Sequence, residues 1–315
     1  MLNAIKSRAA FVFYKPILKA NYLLNNYQDV IWLVGDGRSG TTWVANLINH
    51  KCNYREMFEP FHPKKVRAVN FIAPHQYVRP DDPYEKLAKV ASDIFCGKFT
   101  HARVDSGNQL LSYKGLLIKD IFANLLCCWA IKKFPKVKLI LLIRNPFSVA
   151  LSKYKMRHAF WMTDPLEFLN QTRLRNDYLG EFEDLIRMTC LKGDFILNQI
   201  LIWSVIHYVP LKQFCKSDIH ICFYENMHDN TNYELSKIFN YINGSPEEVF
   251  LDEAVVKRPS RVAGEKSNLV VGASPVSSWK NELSPKVIDD GLEILSRFKL
   301  DKLYEDSLIP AKRDF

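Results

Sequence analysis

At 315 residues, 48% of them hydrophobic, the chain has enough apolar material for one large α/β domain with a substantial core. Its net charge of +9, from 43 Lys and Arg against 34 Asp and Glu, favours an anionic partner. The basic residues are scattered, without a long basic block, zinc-finger spacing or RNA-binding signature, which argues against nucleic acid.

Residues 1–29 form a basic, aromatic lead in which Phe11, Phe13, Tyr14, Tyr22 and Tyr27 are interspersed with Lys6, Arg8, Lys15 and Lys19. Packing on the domain and peripheral docking on an anionic membrane are both open readings of it. Residues 30–34 (VIWLV) then predict a buried strand that feeds the segment GDGRSGTTW, from Gly35 to Trp43. Its glycines, five apart, reproduce the spacing of a phosphate-binding loop, but Thr41 stands where a nucleoside triphosphatase places lysine. The cation inside the loop is Arg38, whose guanidinium fork suits a compact tetrahedral anion. A helix over 42–49, with Trp43/Leu47 and Val44/Ile48 paired one turn apart, would aim its free amides at the same anion.

A second strand is expected over 54–58, ending at Glu59-Pro60. Residues 63–112 hold Pro74, Pro80 and Pro83 and one apolar helical stretch near 87–95, and read as a helical insertion over the site. A third strand over 116–119 leads to a helix through Trp129 and Phe134. Residues 138–143 (KLILLI) are apolar after the first position, as in a strand buried on both faces of a parallel sheet. That strand runs into Arg144-Asn145-Pro146, an arginine where an ATPase would place a magnesium-holding aspartate, so the site reads as cationic and metal-free. Pro146 suits the first position of the helix that follows. Residues 167–210 are helix-rich, 219–224 read as the last core strand, and 232–242 as a helix. A glycine-, serine- and valine-rich stretch at 259–278 is a candidate mobile loop, and a helix over about 285–298 closes the fold. The expectation is a single domain over 1–315: a central parallel sheet flanked by helices, a P-loop-like three-layer α/β sandwich.

The motif Arg38-Ser39-Gly40-Thr41-Thr42-Trp43, followed about a hundred residues later by Arg144-Asn145-Pro146 with Ser152 eight residues after the arginine, resembles the sulfotransferase family. That family uses 3′-phosphoadenosine 5′-phosphosulfate (PAPS), and the resemblance covers roughly 30–283. It implies that the Arg38-to-Trp43 segment binds the 5′-phosphosulfate and that Arg144 and Ser152 bind the 3′-phosphate. It also implies that Tyr224, in Tyr224-Glu225-Asn226-Met227, lies near the adenine. Lys257, Arg258, Ser260 and Arg261 fall where many members close a basic loop over the nucleotide. The Arg-Lys-Gly triplet of the cytosolic branch is absent, which leaves open which of them touches phosphate.

Sulfuryl transfer to a hydroxyl needs an activated acceptor and positive charge over the leaving phosphate, and Arg38 is the candidate for the second task. For the base, Met57-Phe58-Glu59-Pro60-Phe61-His62 resembles the apolar-Glu-Pro segment of carbohydrate sulfotransferases, pointing to Glu59. Burial against Phe58 and Phe61 is expected to push its pKa up. His62 is the second candidate, since the small-molecule branch uses histidine. In that branch a lysine ends the strand before the catalytic histidine. Here Lys119 is followed by Asp120 and not by histidine, which favours Glu59 and implies a transition-state contact for Lys119. The acceptor implied is a hydroxyl on a carbohydrate or glycolipid. Another small-molecule acceptor, a P-loop nucleotide-binding module without transfer activity, and a lectin on the same fold stay open. Seven cysteines without CxxC spacing read as reduced, buried thiols. With no stretch expected to span a membrane and no cleavage-site pattern, they point to a cytoplasmic protein.

Overall fold

The structure is a computed structural model that describes residues 2–156, 161–215, 217–245, 248–256 and 276–304. Arg258 and Arg261, with Lys257, Ser260 and most of the expected 259–278 loop, lie outside the described residues. Five strands, β1 (Asp29–Gly35), β2 (Tyr54–Phe58), β3 (Gly115–Asp120), β4 (Val137–Ile143) and β5 (His220–Phe223), form one sheet in the order β2-β3-β1-β4-β5. Every pairing is parallel.

The apolar runs sort by the twofold period of a strand. Trp32 and Val34 of β1, Ile118 of β3 and Leu139 and Leu141 of β4 face one layer. Ile31 and Leu33, Leu117, and Ile140 and Leu142 face the other. Because both faces are covered, β1 and β4 are apolar at nearly every position, and the charged exceptions, half-buried Asp29 and exposed Lys138, lie at the starts of the two strands. The second layer is closed by α2 (Thr41–Ile48) and the helix Thr231–Asn243, through Val44, Leu47, Leu235 and Ile238. The first is closed by α3 (Glu85–Phe95), α4 (Cys127–Lys133), α5 (Pro146–Lys155) and the helices Phe195–Gln213 and Pro285–Arg297. Burying one such leucine contributes roughly 1.5–3 kcal/mol, so the two layers hold the sheet edge rigid under the loops that follow the strands.

One segment was given no element from the sequence, and two expectations need correction. Residues 2–23 form one continuous helix, α1 (Leu2–Leu23), which Pro16 does not end. The helix Phe195–Gln213 is long and apolar enough to cross a membrane by length and composition, although no such stretch was expected. It is largely buried, with Ile200, Trp203 and Ile206 inside the core. All seven cysteines are free, but only Cys127 and Cys222 are buried. Cys52, Cys96 and Cys215 are exposed, because they sit at turns and helix ends and not on a core-facing stripe.

Residues 63–112 contain one α-helix, α3, and a short turn of 3-10 helix at Arg67–Val69. Their last part lies along β2, the edge strand: Phe58 N–H donates to the Val104 carbonyl at 2.9 Å, and the Asn108 side chain accepts the Glu56 amide and donates to the Glu56 carbonyl, each at 2.8 Å. Arg55, wholly buried in β2, donates to Asp105 at 2.9 Å and to the carbonyls of Gly97 and Phe99. Asp105 in turn accepts the His101 amide at 2.8 Å, which fixes the loop carrying Arg103.

Candidate active site at the carboxyl edge of the sheet

All five strands end on one edge, and each contributes a candidate side chain there, the position at which open parallel sheets bind ligands. In sheet order, Glu59 follows β2, Lys119 lies at the end of β3, the Asp36–Gly40 loop follows β1, Arg144 follows β4 and Tyr224 follows β5. The phosphate-loop motif is therefore central, with the acid–base candidates on one side and Arg144 and Tyr224 on the other.

The central loop is tight. Arg38 adopts φ 73° and Gly40 φ 86°, the second as the left-handed cap that opens α2. A Cβ on Gly40 would come within 2.5 Å of the Tyr224 ring, so glycine is required both by backbone conformation and by the aromatic seated on it. For Arg38 the same region costs about 1–3 kcal/mol. That conformation is held by its carbonyl, which accepts from Arg144 Nη1 at 2.8 Å, and by its Nε, which donates to Ser152 Oγ at 3.1 Å. Arg144 lies over the Tyr224 ring, 4.3 Å from its centroid, and Trp43 meets the same ring edge-on at 5.4 Å. The Trp43 indole donates to the Val256 carbonyl at 2.9 Å. The fold thus brings Arg38, Ser39, Gly40, Thr41, Thr42, Trp43, Arg144, Ser152 and Tyr224 together from four parts of the chain.

The electrostatics of this half suit an anion. Burial first, and then the neighbouring Arg144 charge, pull the Arg38 pKa below its usual value. No carboxylate among the described residues pairs with Arg38. Ser39 is fully buried and its hydroxyl has no hydrogen-bond partner, a polar group left for something absent from the fold itself. Two cations, a loose hydroxyl and an amide-lined helix start fit a phosphate or phosphosulfate group.

Two buried polar anchors were not anticipated from the sequence. Lys153, on α5 beside Ser152, donates to both oxygens of Asp36 at 2.7 Å, tying the start of the loop to α5. Glu225 accepts the Asn145 amide at 2.9 Å and the Tyr304 hydroxyl at 2.5 Å. Asn145 caps α5 by accepting from the amides of Phe147 and Ser148, with Pro146 in the first helical position as the sequence predicted. Asp36 lies inside the glycine-rich motif and Lys153 next to the expected serine, so the positions were marked but their pairing was not.

The other half is closed. Glu59 also has positive φ, 53°, and its amide donates to the Lys119 carbonyl at 2.6 Å. Its carboxylate accepts from Lys119 Nζ at 2.7 Å and from the Arg103 guanidinium. Phe58 lies under both cations, 4.3 Å from Lys119 Nζ and 4.9 Å from the Arg103 guanidinium carbon. Burial pushes the Glu59 carboxyl up, but Lys119 and Arg103 together outweigh it and hold the pKa below the usual range. This corrects the expected upward shift: Phe61 turns into the core against Trp32 and Phe95, and two cations take the place of an apolar wall. Lys119, deeply buried, has its own pKa lowered by burial against the opposing pull of Glu59.

His62 is buried edge-on to Phe122 at 4.8 Å, and its Nδ1 has no hydrogen-bond partner. Burial lowers its pKa to about 4, against the raising effect of nearby Glu59, so it is neutral at pH 7. Arg103 is the residue that sequence reasoning missed outright. It comes from the insertion, 44 positions from Glu59, with no motif around it. No cluster of three or more His, Cys, Asp or Glu side chains able to hold a metal occurs among the described residues.

A sequence model described as Sulfotransferase domain matches residues 28–295. No curated protein matches the chain. Among solved structures, the chain is similar to the sulfotransferase domain of the Synechococcus PCC 7002 olefin synthase, at 15% identity over 87% of this chain and 96% of that one, with TM-score 0.45. It is also similar to mouse sulfotransferase SULT7A1 complexed with PAP, at 14% identity over 92% of each chain, TM-score 0.43. A retinol dehydratase in complex with retinol and PAP shows 13% identity over 89% of this chain and 86% of that one, TM-score 0.43.

Proposed function

We propose that this chain, which belongs to the sulfotransferase family, moves the sulfuryl group of PAPS to an acceptor hydroxyl. The observation that carries the reading is the division of one sheet edge into a cationic, anion-ready half and a half that holds an ionised carboxylate. PAPS, when bound, supplies an activated sulfuryl group whose leaving group is a phosphate. The residues present to hold it are the 38–43 loop at its 5′ end, Arg144 and Ser152 at its 3′-phosphate, and Tyr224 and Trp43 near the base.

Within that arrangement Arg38 and the amides at the start of α2 stabilise charge on the departing phosphate, an effect that fixed donors exert strongly in a site closed to water. Glu59 accepts the acceptor's proton. Its lowered pKa keeps it ionised at neutral pH, and its positive φ together with the Lys119 and Arg103 contacts fixes its direction. Lys119, bonded to Glu59, offsets the change in charge as the proton arrives. A second reading gives the proton to His62, and its observation is specific: a neutral imidazole with Nδ1 unpartnered beside Glu59.

A carbohydrate or glycolipid acceptor rests on the Met57-to-Phe61 segment alone, and another small-molecule hydroxyl is the competing outcome. The decisive experiment is calorimetric titration with adenosine 3′,5′-bisphosphate in the absence of magnesium, followed by transfer of radiolabelled sulfate from PAPS to panels of saccharide and small-molecule hydroxyls. Binding and transfer support the proposal. Binding of magnesium nucleoside triphosphate in place of the bisphosphate would falsify it and return the chain to the nucleotide-binding-module reading.

A further inference from the structure

We infer that α1 and the adjoining Leu110-Leu111 turn form a docking face for an anionic lipid surface. The helix α1 has two apolar faces. One carries Leu18, fully buried, with Phe11, Tyr14 and Tyr22 packed against the core. Asn21 clamps this face to the domain: its side chain donates to the Leu111 carbonyl at 2.8 Å and accepts the Tyr113 amide at 3.0 Å. The Tyr14 hydroxyl bonds the Leu110 carbonyl as well.

Nothing among the described residues covers the opposite face. Val12, Phe13 and Leu23, at helical spacing, are 67%, 81% and 68% exposed, and Leu24 just past the helix is 72% exposed. The clamp turns the carbonyls of Leu110 and Leu111 toward α1 and leaves their side chains outside, 42% and 75% exposed. These six are nearly half of the thirteen large apolar side chains exposed among the described residues, four on α1 and its carboxyl end and two on the turn clamped to it.

Charge identifies the occupant. Lys15 and Lys19, one turn apart and both exposed, border the apolar face. The first 28 residues contain Lys6, Arg8, Lys15 and Lys19 and no Asp or Glu. The cores of protein interfaces are depleted in lysine, whereas helices lying in a lipid headgroup layer combine phenylalanine and leucine with bordering lysines. The lysine stems can lie along the apolar face while their ammonium groups reach lipid phosphate. A second copy of the chain would bring two more lysines against Lys15 and Lys19.

Co-sedimentation of the full chain with vesicles tests the inference, comparing phosphatidylcholine alone with phosphatidylcholine mixed with phosphatidylserine. Binding to the mixed vesicles that weakens with added salt is expected. The double variant F13D/L23D should lose it at least tenfold. K15Q/K19Q should lose about twenty-five-fold, since each lysine near such a surface changes partition about fivefold. Both variants alter solvent-facing positions, so adenosine 3′,5′-bisphosphate affinity and melting temperature should stay at wild-type values. Equal, salt-insensitive partition onto both vesicle types overturns the inference, as does wild-type binding by F13D/L23D. A dimer that F13D/L23D dissolves, in a chain that ignores vesicles, overturns it in favour of a face between copies. Transfer to a soluble acceptor without vesicles is measured separately, so loss of docking leaves the catalytic proposal standing.

Discussion

At the β2–β3 end of the sheet edge the cations have a carboxylate partner: Glu59 lies between Lys119 and Arg103, and all three are held by backbone contacts from strand and insertion. At the β1–β4 end Arg38 has no carboxylate partner among the described residues, and a buried serine hydroxyl has no partner. Both ends hold a non-glycine residue at positive φ, so both store strain. The difference in partners teaches what each half awaits. Lys119 and Arg103 keep the Glu59 carboxylate ionised and aimed, while Arg38, with no carboxylate partner among the described residues, would gain stability when an anion arrives.

The strongest way to break the comparison is to remove the Arg38 cation. Arg38→Ala is expected to lower turnover about a thousandfold, while adenosine 3′,5′-bisphosphate affinity changes by less than about tenfold, because its charge acts mainly on the departing phosphate. Steady-state kinetics beside calorimetry separates the two, and wild-type turnover in the variant removes Arg38 from the chemistry. The Glu59 half is tested next by Glu59→Gln, expected to cost about a hundredfold in turnover with PAPS binding retained, and by His62→Asn, expected to cost less than about tenfold. An active glutamine variant beside an inactive asparagine one moves the base to His62.

The ligand side of the comparison is sharpened by two nucleotides. Adenosine 3′,5′-bisphosphate should bind about thirtyfold more tightly than AMP, as charge-assisted bonds from Arg144 and Ser152 to the extra phosphate would provide. Equal affinities by calorimetry would remove that pair from the 3′ site. The smallest effect is on stability against pH. His62 has its folded pKa lowered from 6.5 to about 4, so stability is lost as pH falls from 6.5 toward 4, where the unfolded chain binds the proton and the folded one does not. Chemical denaturation across that window should show His62→Asn with a shallower pH slope, by up to about 1.4 kcal/mol per pH unit. An identical slope in the two proteins would place the His62 ring in solvent.

Much of the fold was legible because its signals are local. The apolar runs at 30–34 and 138–143 are buried on both faces, and so are necessarily unbroken. The cap at Asn145-Pro146 and the positive-φ glycine of the central loop are likewise readable from neighbouring residues. Helix α1 was not read: residues 1–29 showed only as a basic, aromatic lead. The insertion yielded little, since most of it is turn whose shape depends on Arg55 reaching out from β2.

The sequence by itself determined the strands and the position of the Arg38-to-Trp43 and Arg144-to-Ser152 motifs at the ends of two of them, because each rests on residues near one another in the chain. Only the tertiary structure decided the state of the carboxylate. Hydrophobic neighbours in sequence argued for a raised Glu59 pKa, yet its partners in space are Arg103 and Lys119, 44 and 60 positions away. Coulomb energy depends on separation in space and on local dielectric, and neither is written in the spacing of a motif.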